Sequence, residues 1–289
     1  MHRHQHFDLM LHDDGELAEV LGSPVTERTV IHEWPLSCVQ RVRTADGTSH
    51  IYKVQAPPTL EAEFYAKARS PLLAAARVLE TAGRPAALVM ADIGAPRLGD
   101  LGLSEPEAVA AADELLAGIA AIEAIEGDLP AMADLRTEER FAAYIGAALD
   151  DVQASVDDGS FVQVDDATVG RLRRWSGAAA LRAAFRAPSG YVHSDFKADN
   201  VLAAPDGYRI LDWQRPILAP VALDRATLLL SLGLDPARYV EPGIVQLYRY
   251  LHIAWYAQAG RRWFPQGKPW FDGIIAKLAG ELERLQPEG

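Results

Sequence analysis

The run Tyr191–Trp213, YVHSDFKADNVLAAPDGYRILDW, constrains this chain more than any other stretch. It opens on the apolar-leaning pair Tyr191-Val192 and turns polar at His193-Ser194-Asp195. Two strand-like runs follow, Val201-Leu202-Ala203 and Tyr208–Leu211, separated by Pro205-Asp206-Gly207. Pro presets φ and Gly tolerates positive φ, so this tripeptide predicts a hairpin turn. The second run ends on Asp212. Such a hairpin gathers Asp195, Asn200 and Asp212 near one end of two paired strands. Carboxylate and amide oxygens in that combination suit a hard cation such as Mg²⁺, which takes oxygen ligands and keeps waters and phosphates in its shell. The competing reading is that these residues only cap a tight hairpin.

The 289 residues are enough for one large domain or two lobes with a sizeable core. A net charge of −12 argues against nucleic acid or an anionic membrane as a partner, because like charges repel. It is compatible with a cationic substrate or with solubility alone. A single cysteine, Cys38, rules out an intrachain disulfide, which fits a reducing cytoplasm. No apolar run approaches the roughly 20 residues that span a bilayer, and the start MHRHQHFDLM lacks the apolar core of a secretory signal. His2, His4 and His6 there are either metal ligands or part of a frayed polar terminus.

Residues 28–55 read as three strands, with Asp46-Gly47 as a hairpin turn. The third, His50–Gln55, carries Lys53. A buried strand lysine demands a partner, whereas an edge-strand lysine serves solubility. Pro57-Pro58 closes the strand, and Thr59 is placed to cap a helix reaching Arg69. At about 100° per residue, Glu61 falls within the apolar arc of Leu60, Phe64 and Ala68, while Glu63 lies outside it, four residues before Lys67, where an i,i+4 surface pair would satisfy it. Glu61 is therefore the expected partner of Lys53. A second helix is expected over Pro71–Thr81 and a strand over Ala86–Met90, followed by Ala91-Asp92-Ile93-Gly94. From Ser104 the pattern turns helical, with Ala108–Ile125, Glu138–Val156, Ala167–Phe185, Arg225–Leu232 and Val245–Ala259 as helices. An acidic linker containing Asp150, Asp151, Asp157, Asp158, Asp165 and Asp166 lies between the second and third of these.

The spacing H-x-D-x-x-x-x-N, then a hairpin, then a strand-end Asp-Trp resembles the catalytic and metal loops of the protein kinase fold. In its LDW wording and helical continuation the chain is similar to the aminoglycoside phosphotransferase superfamily of small-molecule kinases. The resemblance implies an α+β, bilobal protein-kinase-like fold. Residues 1–94 would form a small nucleotide-binding lobe of antiparallel sheet plus helix. Residues 95–289 would form a larger, mostly helical lobe carrying the catalytic hairpin and the acceptor site.

It further implies ATP and Mg²⁺ as cofactors and a small-molecule hydroxyl as acceptor. Asp195 would orient the acceptor hydroxyl, Lys197 would face the γ-phosphate, and Asn200 and Asp212 would hold the metal. Lys53, fixed by Glu61, would grip the α/β-phosphates. Leu88–Gly94 resembles the hinge, so Met90, Ala91 and Ile93 would meet the adenine; a core strand ending in a turn is the plainer and compatible reading. Asp224 would steady the catalytic loop. The chain departs from the protein-kinase pattern at Trp34–Val39, which has no glycine. Ser37 is the candidate phosphate clamp there, or simply a turn residue. Acidic groups of the linker would receive amines of an acceptor, or form a solvated loop. A non-catalytic nucleotide-binding pseudokinase is the rival from another class.

Overall fold

The structure, a computed structural model, describes residues 1–81 and 83–286. Strands β1 (His2–Arg3) and β2 (Met10–Leu11) form a short antiparallel hairpin that leads into helix α1 (Asp14–Leu21). Then come β3 (Val25–Trp34), β4 (Ser37–Thr44), β5 (Ser49–Gln55), helix α2 (Glu61–Lys67), the short β6 (Ala68–Arg69), β7 (Ala76–Thr81) and β8 (Arg84–Ala91). After α3 (Glu105–Ala120) and β9 (Glu123–Ala124) the chain is mainly helical, with α4 (Glu138–Asp157), α5 (Asp166–Trp175) and α6 (Ala179–Ala184). Short strands β10 (Ser189–Val192), β11 (Val201–Ala204), β12 (Gly207–Ile210) and β13 (Ile217–Pro220) precede α7 (Ala222–Ser231), α8 (Pro242–Gln258) and α9 (Lys268–Arg284). The α+β class read from the sequence holds.

These elements pack as two compact units, each built from separate stretches of chain. The first comprises Met1–Ser104, Ala117–Met132 and Lys197–Pro216. The second comprises Glu105–Leu116, Ala133–Phe196 and the described residues from Ile217 onward.

The first unit is organised on an antiparallel sheet of order β3-β4-β5-β8-β7. Alternation along β5 sends Tyr52 and Val54 to one face, where Leu9, Leu11 and Leu17 from the N-terminal hairpin and α1 close over them. Ile51 faces the other way, against the cluster of Ala62 from α2 with Leu88 and Met90 from β8. The N-terminus is thus tied down. Met1 pairs with Asp13 and Glu16, and His12 meets the Tyr52 hydroxyl. His4 Nδ1 accepts from the backbone N–H groups of His6 and Phe7 at 3.1 and 3.2 Å. That leaves the ring proton on Nε2, 3.2 Å from Glu33 Oε2, with the Cys38 thiol close by. An Nε2 that donates to Glu33 offers no lone pair to a metal, so this group fastens the terminus to the sheet.

Three local expectations change. Residues 76–81 form a strand, where a helix was expected over Pro71–Thr81. Ala76 and Val78 pack toward the α2 cluster while Leu79 packs against the opposite one, a period of two that pairing with β8 imposes over alanine and leucine helix propensity. The helix expected over Ala167–Phe185 is broken at Ser176-Gly177-Ala178 into α5 and α6. Thr59 does not cap α2: its hydroxyl donates to the Ala56 carbonyl, and the helix begins at Glu61.

In the second unit, α4 buries Phe141, Ile145, Leu149 and Val152 on one stripe. Helices α6 and α8 approach so closely at Gly243 that a Cβ there would collide with the Ala180 carbonyl. The Asp272 carboxylate accepts from the N–H groups of Val162, Gln163 and Val164 at 2.8–3.0 Å, fixing the loop before α5. No helix among the described residues is long and apolar enough to cross a membrane.

Candidate active site

The β11–β12 hairpin predicted from the sequence is present, with Val201 paired to Ile210 and Ala204 to Gly207. It belongs to the first unit and is fastened there at several points. Ile210 N–H donates to the Leu72 carbonyl, Ala203 N–H to Pro96, and Leu60 N–H to Gln214. The Trp213 indole is fully buried and stacks on Phe64 of α2, with ring centroids 4.4 Å apart. These anchors bring Asp212 to the middle of β5. Lys53 Nζ lies 2.5 Å from Glu61 Oε2 and also pairs with Asp212 Oδ1. Glu61 is the carboxylate that the helical arc selects, and Glu63 pairs instead with Lys67 at 3.2 Å.

Both Lys53 and Glu61 are buried, and their electrostatics follow from the number of charges. Burial opposes charge on Lys53, but Glu61 and Asp212 outweigh it and hold the ammonium above its ordinary range. Burial also pushes Glu61 up, and the second carboxylate adds to this while Lys53 opposes it. One ammonium faces two carboxylates. The surplus negative charge, together with the oxygen donors of Asp212 and Asn200, fits a hard divalent cation. Asn200 is held next to Asp212 because Leu211 N–H donates to the Asn200 carbonyl at 2.8 Å. Asp212 itself adopts φ +69°, a left-handed conformation uncommon outside glycine. Gln214 secures that turn: its N–H meets the Asp212 carbonyl at 2.7 Å and its side-chain amide meets Asp212 Oδ1 at 2.6 Å. Gln214 was invisible to sequence reasoning, since nothing in its spacing marks it.

Lys197 is exposed and opens the single helical turn Ala198–Asn200, its carbonyl accepting from Asn200 N–H at 2.9 Å. The residues expected to meet the adenine lie at the end of β8 and just after it. Met90 pairs with Ile51 across the sheet, Ala91 with His50, and Ile93 packs against the α2 cluster. Ser37 is not in the turn. The turn is Pro35-Leu36, and Ser37 is the buried first residue of β4, with its hydroxyl accepting from Trp34 Nε1 at 2.6 Å.

Asp195 lies in the second unit, whose chain boundary falls between Phe196 and Lys197. The backbone that presents it is clamped by Asp224 at the start of α7. One Asp224 oxygen accepts from His193 N–H at 2.7 Å and the other from Ser194 N–H at 3.1 Å. Those bonds hold Ser194 at φ +69°. Asp224 is fully buried; burial pushes its carboxyl up to about 7, against the pull of the two N–H donors and with a further push from Asp195. The acidic linker expected from the sequence is largely helical: Asp150, Asp151 and Asp157 lie on α4, Asp158 caps its end, and Asp166 is the first residue of α5, because the apolar stripe of α4 continues through this acidic stretch. Asp150 pairs with Arg173, Asp151 with Arg262, and Asp158 with Arg261 and Lys268, while Asp165 caps α5.

A protein-kinase-like fold with a lysine–glutamate pair and a strand-end aspartate defines a phosphotransferase class. The family model described as the phosphotransferase enzyme family matches residues 51–265, and the chain belongs to that family. Among solved structures it is similar to a thermostable mutant of an aminoglycoside phosphotransferase in ternary complex with ADP and hygromycin B. That match has 16% identity and a TM-score of 0.64, covering 96% of this chain and 99% of the other. It is similar too to a choline kinase from Streptococcus pneumoniae, at 12% identity and a TM-score of 0.61, covering 94% and 97%. A macrolide 2′-phosphotransferase from Brachybacterium faecium matches at 14% identity and a TM-score of 0.55, covering 94% and 97%. No curated protein matches the chain in sequence.

Proposed function

We propose that this protein transfers the γ-phosphoryl group of ATP to a hydroxyl group of a small molecule. The observation that supports the reading is Lys53 held between Glu61 and Asp212, an ammonium beside a carboxylate whose oxygens suit a hard cation. Lys53 holds the α/β-phosphates, and Glu61 keeps its ammonium in place. Asn200 and Asp212 would hold Mg²⁺, which when bound would offset negative charge on the phosphates. Met90, Ala91 and Ile93 present the adenine edge, and the backbone at Ser37 faces the phosphates. Asp195 orients the acceptor hydroxyl. As the acceptor oxygen bonds phosphorus and ADP leaves, Asp195 takes the hydroxyl proton. Lys197 steadies the γ-phosphoryl oxygens. Little covalent help is required of the protein, so position and charge supply the rate.

The solved neighbours act on aminoglycosides, macrolides and choline, and the acceptor here belongs to that broad range of small alcohols. Asp150, Asp151 and Asp158 are already paired with arginine or lysine, which gives an amine-bearing acceptor no particular support. The test is transfer of labelled phosphate from ATP with Mg²⁺ across aminoglycosides, macrolides, amino alcohols and sugars. Phosphate on one compound, lost in Asp195→Ala while ADP binding persists, supports the reading. A pseudokinase, to which the glycine-free Pro35-Leu36 turn lends some support, would bind nucleotide and transfer to none.

A further inference from the structure

A cavity of about 260 Å³ lies within the first unit, at the end of β5 where the N-terminal hairpin, the start of α2, the end of β7 and the start of β8 converge. Ala62 and Ala86 belong to its apolar wall, and the exposed Asp8 and Arg84 contribute opposite charges, so it carries no net charge preference. Gln55 lines it and is only 9% exposed. The Gln55 amide nitrogen donates to Glu61 Oε2 at 2.8 Å, and the reversed amide would set oxygen against carboxylate; the orientation is therefore fixed. Among the described residues, Gln55 Oε1 is consequently a buried acceptor with no hydrogen-bond partner, as is the Thr81 hydroxyl on the same cavity. Leaving such a group unpaired is costly, and natural cores seldom do so. The cost is recovered when a donor enters.

We propose that this cavity binds a neutral, fragment-sized, largely apolar molecule with one N–H donor directed at Gln55 Oε1, and that its occupant adjusts nucleotide affinity through Gln55 and Glu61. The second part rests on the reading that Lys53 and Glu61 grip the nucleotide. The path is short. Gln55 and Glu61 share a hydrogen bond, and the same Glu61 oxygen holds Lys53. A molecule that takes the amide oxygen sets the rotamer of the amide nitrogen and so the position of the Glu61 carboxylate.

Indole and benzofuran test this, since they share a shape and differ in the N–H. Binding to the full chain is followed by ligand-observed NMR, and ADP affinity by calorimetry with and without the probe. Indole is expected to bind at least tenfold more tightly than benzofuran, and Gln55→Leu to erase that difference. Ala86→Phe should fill the cavity and abolish indole binding while leaving ADP affinity within twofold. Saturating indole should shift the ADP Kd at least threefold in the unaltered protein and not in Gln55→Leu. Equal binding of the two probes, meaning a cavity that holds water alone or any apolar solute, overturns the site. Retained indole binding in a folded Ala86→Phe variant does the same. An unchanged ADP Kd overturns the coupling. A chain that binds no ADP at all overturns the phosphotransferase reading and the coupling, and the probe contrast still decides the site.

Discussion

Lys53 and Asp212 are 159 residues apart in the chain and share an ion pair, with Glu61 completing it from the other side. Because Glu61 is fully buried, its charge depends on this lysine. Lys53→Met should leave a buried carboxylate unpaired and destabilise the protein by about 3–5 kcal/mol, whereas Lys53→Met with Glu61→Gln should recover much of that loss. Denaturant unfolding of the two single variants and the double variant checks the coupling. Additive losses would count against it.

Asp212 contributes negative charge to a cluster that already has one carboxylate for its single ammonium. Asp212→Asn should tighten the apo-protein's charge balance yet weaken ADP binding at least tenfold in Mg²⁺, with little change in its absence. Calorimetric titrations with Mg²⁺ and with a chelator read the difference. Equal weakening in both would place the metal elsewhere.

The Asp224 carboxyl is raised to about 7 in the folded protein, from an ordinary value of 3.8. A raised carboxyl favours folding below the unfolded value and withdraws that contribution as pH climbs toward the folded one. Between about pH 4 and 7, up to roughly 4 kcal/mol is therefore lost from this group. Asp224→Asn removes the titration, so its stability relative to the unaltered protein should rise across that window and level off above it. Unfolding free energies of both proteins, measured from pH 4 to 8, supply the comparison; parallel curves would contradict the assignment.

Ser194 is held at φ +69°, where a Cβ is strained and glycine is not. Ser194→Gly should be neutral or stabilising by up to about 1 kcal/mol, since relieved strain offsets the entropy of the freer unfolded chain. Ser194→Val, bulky and β-branched, should cost more than that. Thermal unfolding of the pair would show the order, and the reverse order would mean that the loop relaxes away from this conformation in solution.

The hairpin was legible because its determinants are local: alternating strands, a Pro-Asp-Gly turn and polar residues at fixed offsets. The Lys53–Glu61 pair was legible because a helix has one inward arc and only one of its two glutamates lies on it. The strand Ala76–Thr81 was hidden by alanine and leucine that favour helix in isolation, and its partner β8 decides otherwise. Gln55 and Gln214 were hidden for another reason. An uncharged amide at a strand end or after a tryptophan has no signature until the groups it bridges are in place. The N-terminal residues read as polar and frayed because their contacts, with Tyr52 and Glu33, lie tens of residues away.

The first unit is assembled from three stretches of chain, the last of which ends at Pro216. During synthesis the sheet with Lys53 and Glu61 leaves the ribosome long before Asp212 is made. For that interval the nascent sheet has its lysine and one carboxylate but lacks the Trp213 that stacks on Phe64. Most of the second unit's early helices must be threaded out before the first unit can be completed. A gene fragment ending at Ser104 would therefore encode a sheet with an unfinished charge cluster, and moving this unit intact between relatives would mean exchanging three separate stretches of sequence.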